Sequence, residues 1–145
     1  MQLDEILYNA IKADASLMTA IGGRVKDVCF EVSPDDQDKT PLPCIVITDL
    51  GSQEQPETKD CEWEPTEDHV QAGIEVSAKS PSEVRRLILL ARHAVAEYVA
   101  TLSHDEQPVL EGIQRDGTAW DWLKPCYFDT LRYQCTIDNE LLTIQ

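Results

Sequence analysis

The stretch Val70-Gln71-Ala72-Gly73-Ile74-Glu75-Val76-Ser77-Ala78, followed by Lys79-Ser80-Pro81-Ser82-Glu83-Val84, decides the fold. In its first nine residues the apolar side chains fall on every second position. Period two is the mark of a half-buried strand. The next six residues change the period. Ser80 is placed to cap a helix, Pro81 fits a first helical position, and Glu83 completes a capping box. The helix so opened runs to about Leu102, with Val84, Leu87, Ile88, Ala91, Val95, Tyr98, Val99 and Leu102 as its apolar stripe. At ~1.5 Å per residue it spans ~33 Å, enough to cross a whole sheet.

Working towards the N-terminus, Cys44-Ile45-Val46-Ile47-Thr48 is a β-branched apolar run that reads as a central strand covered on both faces. Pro41 and Pro43 stand at its entrance, since proline cannot donate to a ladder. Arg24 to Val32 reads as a first strand. Leu3, Ile6, Leu7, Ala10 and Ile11 place one stripe on a helix from 3 to 18. Asp14 either ends that helix or opens a second short one, and Gly22-Gly23 stops it.

Towards the C-terminus, Val109 to Arg115 reads as a strand followed by an Asp116-Gly117 turn. Tyr127, Leu131, Tyr133, Cys135 and Ile137 then alternate with polar residues. Asp129 interrupts that inner row, where a bulge or an exposed pairing is expected. The order is α-β-β-β-α-β-β. The expected fold is α+β: a two-layer sandwich, with a mostly antiparallel sheet of about five strands and two main helices on one face. Residues 1–145 are expected to form one domain, with a long acidic loop at about 51–66.

Composition bounds the function. Twelve Lys/Arg stand against 27 Asp/Glu, for a net charge of −15. Phosphate binding needs clustered bases, so sequence-specific nucleic-acid binding is not expected, nor is attachment to a membrane surface. No apolar run approaches ~18 residues, and Met1-Gln2-Leu3-Asp4-Glu5 lacks the pattern of a signal peptide, so neither a transmembrane helix nor a leader is expected. The five cysteines form no C-x-x-C pair and are expected to be reduced and structural, which suits synthesis in a cytosol. Asp36-Gln37-Asp38 fails as a calcium loop, because Pro41 and Ile47 stand where glycine and a bidentate glutamate belong. The three histidines have no metal-ligand spacing, and phosphate-cradle and nucleophile-elbow patterns are missing. The chain is read as a non-enzyme without cofactor.

Surface candidates remain. From Asp49 to Asp68 there are eight acids and one base, Lys59. Such a run is either a solvated loop or an acidic rim facing a basic partner or lining a channel; Asp60, Glu62, Glu64 and Asp68 are its candidate contacts. Trp63 stands alone within it, either folded back on its own domain or docked on a neighbour. Trp120 and Trp122 either cover one end of the core or anchor a partner. Arg85, Arg86 and Arg92 are rare bases on a helix face, either solvated or placed to meet a neighbour's acidic loop.

The order of motifs carries a resemblance. Ile11-Lys12-Ala13-Asp14-Ala15-Ser16-Leu17, then Ile21-Gly22-Gly23-Arg24-Val25, then Pro41-Leu42-Pro43-Cys44-Ile45-Val46 and the helix start at Ser80 follow one another as in a tailed-phage family. The chain resembles the small tail-completion, or tail-terminator, proteins of phage and prophage tail modules. It departs from them at Cys44, where an aromatic is common, and in the length and acidity of 51–66. The resemblance implies a structural subunit that closes into a ring, commonly of six, on the tail tube. Such a ring ends tube growth and joins tail to head. The partners so implied are copies of the chain itself, the tail tube protein and a head-tail connector protein. Assembly would take place in the host cytoplasm, ending in the virion tail. Other readings left open are a different neck or adaptor component, an acidic inhibitor that mimics DNA, and a small enzyme with an unseen site.

Overall fold

Strand β3 (Glu67–Ala78) and helix α3 (Pro81–Thr101) form where the alternation and the capping signal place them. They belong to a computed structural model that describes residues 3–26, 41–55, 67–103 and 110–138. The other elements are α1 (Leu3–Ala13), α2 (Ala15–Ala20), β1 (Val25–Lys26), β2 (Cys44–Gln55), β4 (Leu110–Arg115), β5 (Ala119–Asp121) and β6 (Cys126–Asp138). The sheet is open and six-stranded, ordered β1-β2-β3-β6-β4, with β5 also pairing β6. Among the described residues only β1–β2 is parallel; the other pairs are antiparallel. The α+β sandwich expected from the sequence is the observed fold, enlarged by β5 and α2.

The helices lie on one face. α1 packs over β1, β2 and β3, and α3 over β3 and β6. Their stripes meet the inner row of the sheet in one cluster that includes Leu7, Ile11, Ile47, Ile74, Leu87, Ala91 and Leu131. Each of these side chains is at most 2% exposed. Burying one of these leucines or isoleucines is worth roughly 1.5–3 kcal/mol. Asp14 opens α2, and its Oδ1 accepts from the Leu17 amide at 2.9 Å. Ser80 Oγ accepts from the Glu83 amide at 3.3 Å, the expected cap of α3.

The glycine-arginine motif has a local explanation. Gly22 and Gly23 take φ of 60° and 75°, the left-handed region that ends α2. A Cβ on Gly22 would lie 2.6 Å from the Arg24 guanidinium. Arg24 in turn donates to the carbonyls of Pro43 (2.9 Å) and Leu42 (3.2 Å). The helix stop and the proline-rich strand entrance, separate in sequence, are thus one contact that seats β1 beside β2.

Several expectations are corrected. Residues 51–55 are not loop: β2 continues through them to pair Gln55 with Glu67, after a register shift between Asp49 and Ser52. The acidic connection therefore falls within 56–66, outside the described residues. Strand β1 is two residues long, and 27–32 also lie outside them. Among the described residues no helix covers the outer face of β2, and Val46 and Thr48 are half-buried. Asp116-Gly117 is no hairpin turn, because β4 and β5 both run beside β6 and the reversal comes at 122–125. Asp129 neither bulges nor surfaces. The β3–β6 register is unbroken from Glu67↔Asp138 to Ala78↔Tyr127, and Asp129 is fully buried. Its carboxylate takes the Arg115 guanidinium and, at 2.9 Å, the Gly117 amide. The break between β4 and β5 is folded around it.

Candidate protein-protein interface

The edge at β4 and β5 extends beyond the helix layer. β5 pairs Trp120 with Tyr127, and the two rings meet edge-on with centroids 4.8 Å apart. Trp122 begins the turn and meets Trp120 edge-on at 6.0 Å. Asp121 holds the turn, its Oδ1 accepting from the amides of Leu123 (3.0 Å) and Lys124 (3.4 Å). Lys124 Nζ reaches Cys44 Sγ at 3.6 Å and ties the turn to β2. The fixed turn presents its apolar side chains outward: Trp122 is 85% exposed and Leu123 96%. Trp120 packs on Tyr127, which borders the core cluster, while Trp122 stands out from it.

Helix α3 presents its own patch beside this edge. Arg85, Arg86 and Arg92 are all exposed, and Leu89 is 65% exposed. At 100° per residue, Arg85, Leu89 and Arg92 share an arc of about 60°. The side of α3 that faces α1 is the opposite one, where Ala94, Glu97, Tyr98 and Thr101 border Ala10 and Ala13 along a groove of about 320 Å³. The arginine arc therefore faces the β4–β5 side. There Tyr133 is buried, its hydroxyl without a hydrogen-bond partner among the described residues. Burial pushes its pKa up to about 12, and the Arg92 charge works against that rise. Among the described residues, the exposed large hydrophobics are Leu89, Ile113, Trp120, Trp122 and Leu123. All five belong to this one flank.

The remaining sequence candidates fall elsewhere. Asp60, Glu62, Trp63 and Glu64 lie outside the described residues. Asp68 is on β3, paired with Glu54 and Ile137 near the far end of the sheet. The flank thus brings together Arg85, Arg92, Trp120 and Trp122, and it leaves Asp68 at the opposite end. Leu89, Ile113 and Leu123 were not legible as surface groups. One signal was available for Leu89: Leu87-Ile88-Leu89-Leu90 is four apolar residues in a row, more than one helix face buries.

Among the described residues no group of three His, Cys, Asp or Glu is placed to hold a metal ion. No described helix is long and apolar enough to cross a membrane. Cys44, Cys126 and Cys135 are buried and form no disulfide among the described residues, and burial raises the Cys126 thiol above its usual range. A second open depression, of about 350 Å³, lies between β3, β6 and β4 and is lined by Gln71, Gln114, Arg132 and Gln134.

No protein-family model matches the chain, and no curated protein does. Among solved structures, the chain is similar to the bacteriophage SPP1 gp17 protein, with 18% identity and a TM-score of 0.50. The match covers 93% of this chain and 88% of that one. It is also similar to a chain in the virion of a native gene transfer agent particle, with 14% identity and a TM-score of 0.47, covering 93% and 95% of the two chains. What the first likeness shows is a shared fold: the helices and sheet described above are arranged as in a bacteriophage protein.

Proposed function

We propose that this chain is a structural subunit of a phage or prophage tail, of the tail-completion or terminator kind. It closes into a ring on the tail tube, ends tube growth and offers the surface on which the head joins. The observation that carries this reading is the fold shared with the SPP1 gp17 protein along 93% of the chain. The order of motifs gives independent support, because the glycine-arginine stop and the proline-rich strand entrance are one structural contact. The flank adds a physical reason. Exposed tryptophan, leucine and arginine on one side of a chain are the composition of an interface core.

A ring needs two different patches on each subunit. Six subunits at −15 carry about −90 in total, so self-repulsion opposes assembly at low salt and screening relieves it. An acidic lumen lined from the 49–68 run would keep passing DNA from adhering. The test adds purified chain to growing tubes of a phage tail tube protein. Tube lengths are read by electron microscopy, and the oligomer by light scattering across a salt series. Capped tubes and a discrete oligomer that forms as salt rises are expected. Tubes that keep growing, or a persistent monomer that competes with DNA for a basic protein, would overturn the reading.

A further inference from the structure

Two parts of the molecule have the shapes of a knob and a socket. The knob is the turn after β5. Asp121 pins it through the Leu123 and Lys124 amides, and Trp122 and Leu123 stand out from it almost fully exposed. A turn already fixed loses little freedom when its side chains dock. The socket is the groove between α1 and α3. Ala10, Ala13 and Ala94 keep it open, Tyr98 borders it, and Asp14 and Glu97 stand at it. Its volume is about 320 Å³. That is the small end of the ~300–1,000 Å³ of ligand-sized clefts, a space for one or two large side chains.

Within one chain the two cannot meet, because α3 separates them. Around the helix, the groove residues lie opposite the Arg85–Leu89–Arg92 arc beside the turn. Along it, Trp120 pairs Tyr127, whose other neighbour is Ala78, just before α3 begins, so the turn lies at the N-terminal end. The groove lies at the other end, roughly 20 Å away between Arg85 and Tyr98. Their charges are complementary. The groove is lined by two carboxylates and no base. Asp14 caps α2 through one oxygen, and Glu97 also meets His93 at 3.0 Å, both side chains largely in solvent. On the flank, Arg115 pairs with Asp129 and Arg132 with Asp116, and the turn amides hold Asp121. Arg85 and Arg92 are exposed and have no acid partner among the described residues. Trp122, Leu123 and Leu89 offer on the order of 500 Å² at most, short of the ~800 Å² a side of a standard contact. A polar rim must supply the rest.

We infer that the Trp122–Leu123 turn of one copy seats in the α1–α3 groove of the next, with Arg85 and Arg92 beside the turn meeting Asp14 and Glu97 at the groove's rim. This contact rests on the ring reading and assigns its two unlike patches. Each copy spends one knob and one socket, so the contact repeats head-to-tail and does not stop at a pair. Leu89 lies beside the knob and is covered with it.

Two variants test it by removing one half each. Ala13→Trp fills the socket from an exposed position; Trp122→Ser with Leu123→Ser removes the knob. Each is checked for an unchanged thermal melt and then followed by light scattering at the salt concentration where the wild type assembles. Alone, each needs at least about tenfold more protein to assemble, the loss expected when one interface tryptophan is displaced. Mixed in equal amounts they pair one to one and stop, because one knob and one socket remain between them. A photoreactive amino acid in place of Leu123 in the Ala13→Trp chain captures that pair, and its cross-link is expected on α1 or α3 of the other chain. Either variant assembling alone like the wild type, a cross-link elsewhere, or none, overturns the contact while a wild-type ring leaves the ring reading standing. A wild-type chain that stays monomeric at every salt concentration overturns both. If Ala13→Trp lowers the melt, Thr101→Trp, also exposed at the groove, replaces it. If the serine pair does, Leu123→Asp replaces it and sets an acid against the groove's carboxylates. The same outcomes are expected, and unchanged assembly refutes the contact.

Discussion

The inner row of β2, β3 and β6 and the flank at β4 and β5 are both rich in apolar side chains, yet they meet opposite fates. Ile47, Ile74 and Leu131 lie under helices at 2% exposure or less, while Ile113 is 44% exposed and Trp122 and Leu123 are more so. The cause is width. Helices pack about 10 Å apart and strands about 4.8 Å apart, so two main helices cover roughly four strands. The path β1-β2-β3-β6 uses that cover, and β4 and β5 extend beyond it. Alternation in a sequence tells which residues share a face. Burial also depends on whether another element lies over that face.

The largest expected effect falls where the two regions are joined. Asp129 pins the β4–β5 edge to β6 through Arg115 and the Gly117 amide. Asp129→Ala leaves Arg115, which is 42% exposed, and a backbone donor without their acceptor. Removing one partner of a buried ion pair costs about 3–5 kcal/mol, and the low end applies with Arg115 partly in water. Urea unfolding should show that loss. Hydrogen exchange should rise over 110–121 and stay slow in the strands under the helices. An equal rise in both would mean that the flank is no separate unit.

Next in size is a cut in the covered region. Leu87 is buried between α3 and the sheet at 1% exposure. Leu87→Ala should destabilise by about 3 kcal/mol, from lost transfer energy and the cavity left behind. The urea midpoint should fall with its slope unchanged. A loss below about 1 kcal/mol would show a core that collapses freely around the gap.

How much of this contrast the sequence carried differs by element. The β3–α3 junction was plain, because the period changes within a few residues and Ser80 marks the point. The edges of the strands were not. Residues 51–55 carry no apolar alternation, and their strand follows from pairing with 67–70, a non-local fact. Asp129 looked like a defect because its partners, Arg115 and Gly117, come from another strand and a break. Trp120 and Trp122 were visible as unusual. Their exposure was not, since it follows from the Asp121 turn and from the width of the helix layer.

Tyr133 gives a pH-dependent probe of the boundary. Its hydroxyl is buried without a partner among the described residues, and burial pushes its pKa up to about 12 from an ordinary 10. Above pH 10 the unfolded chain loses this proton while the folded chain keeps it. The unfolded state then binds fewer protons, so stability falls as pH rises from 10 to 12. Two pKa units correspond to about 2.7 kcal/mol at most. Tyr133→Phe should remove that slope and cost little at pH 7, because the hydroxyl it deletes has no partner. The check is urea unfolding of both chains at pH 9 and pH 11.5. An equal loss in both would show that Tyr133 already ionises in the folded state.

The smallest expected effect is the most pointed, because it sets two neighbours on one helix against each other. Leu89 lies two positions from Leu87 but is 65% exposed. Leu89→Ser removes little buried area, so the isolated subunit should change by no more than about 0.5 kcal/mol in urea. Serine is a weaker helix former than leucine, and that difference of a few tenths has the same small size. A side chain kept apolar on a helix surface without stabilising its own subunit makes sense if its cover comes from outside. The same variant should therefore weaken assembly by light scattering while its melt as a monomer stays put. If Leu89→Ser lowered the subunit's own stability as much as Leu87→Ala, the flank would be part of the core, and the contrast between the two regions would disappear.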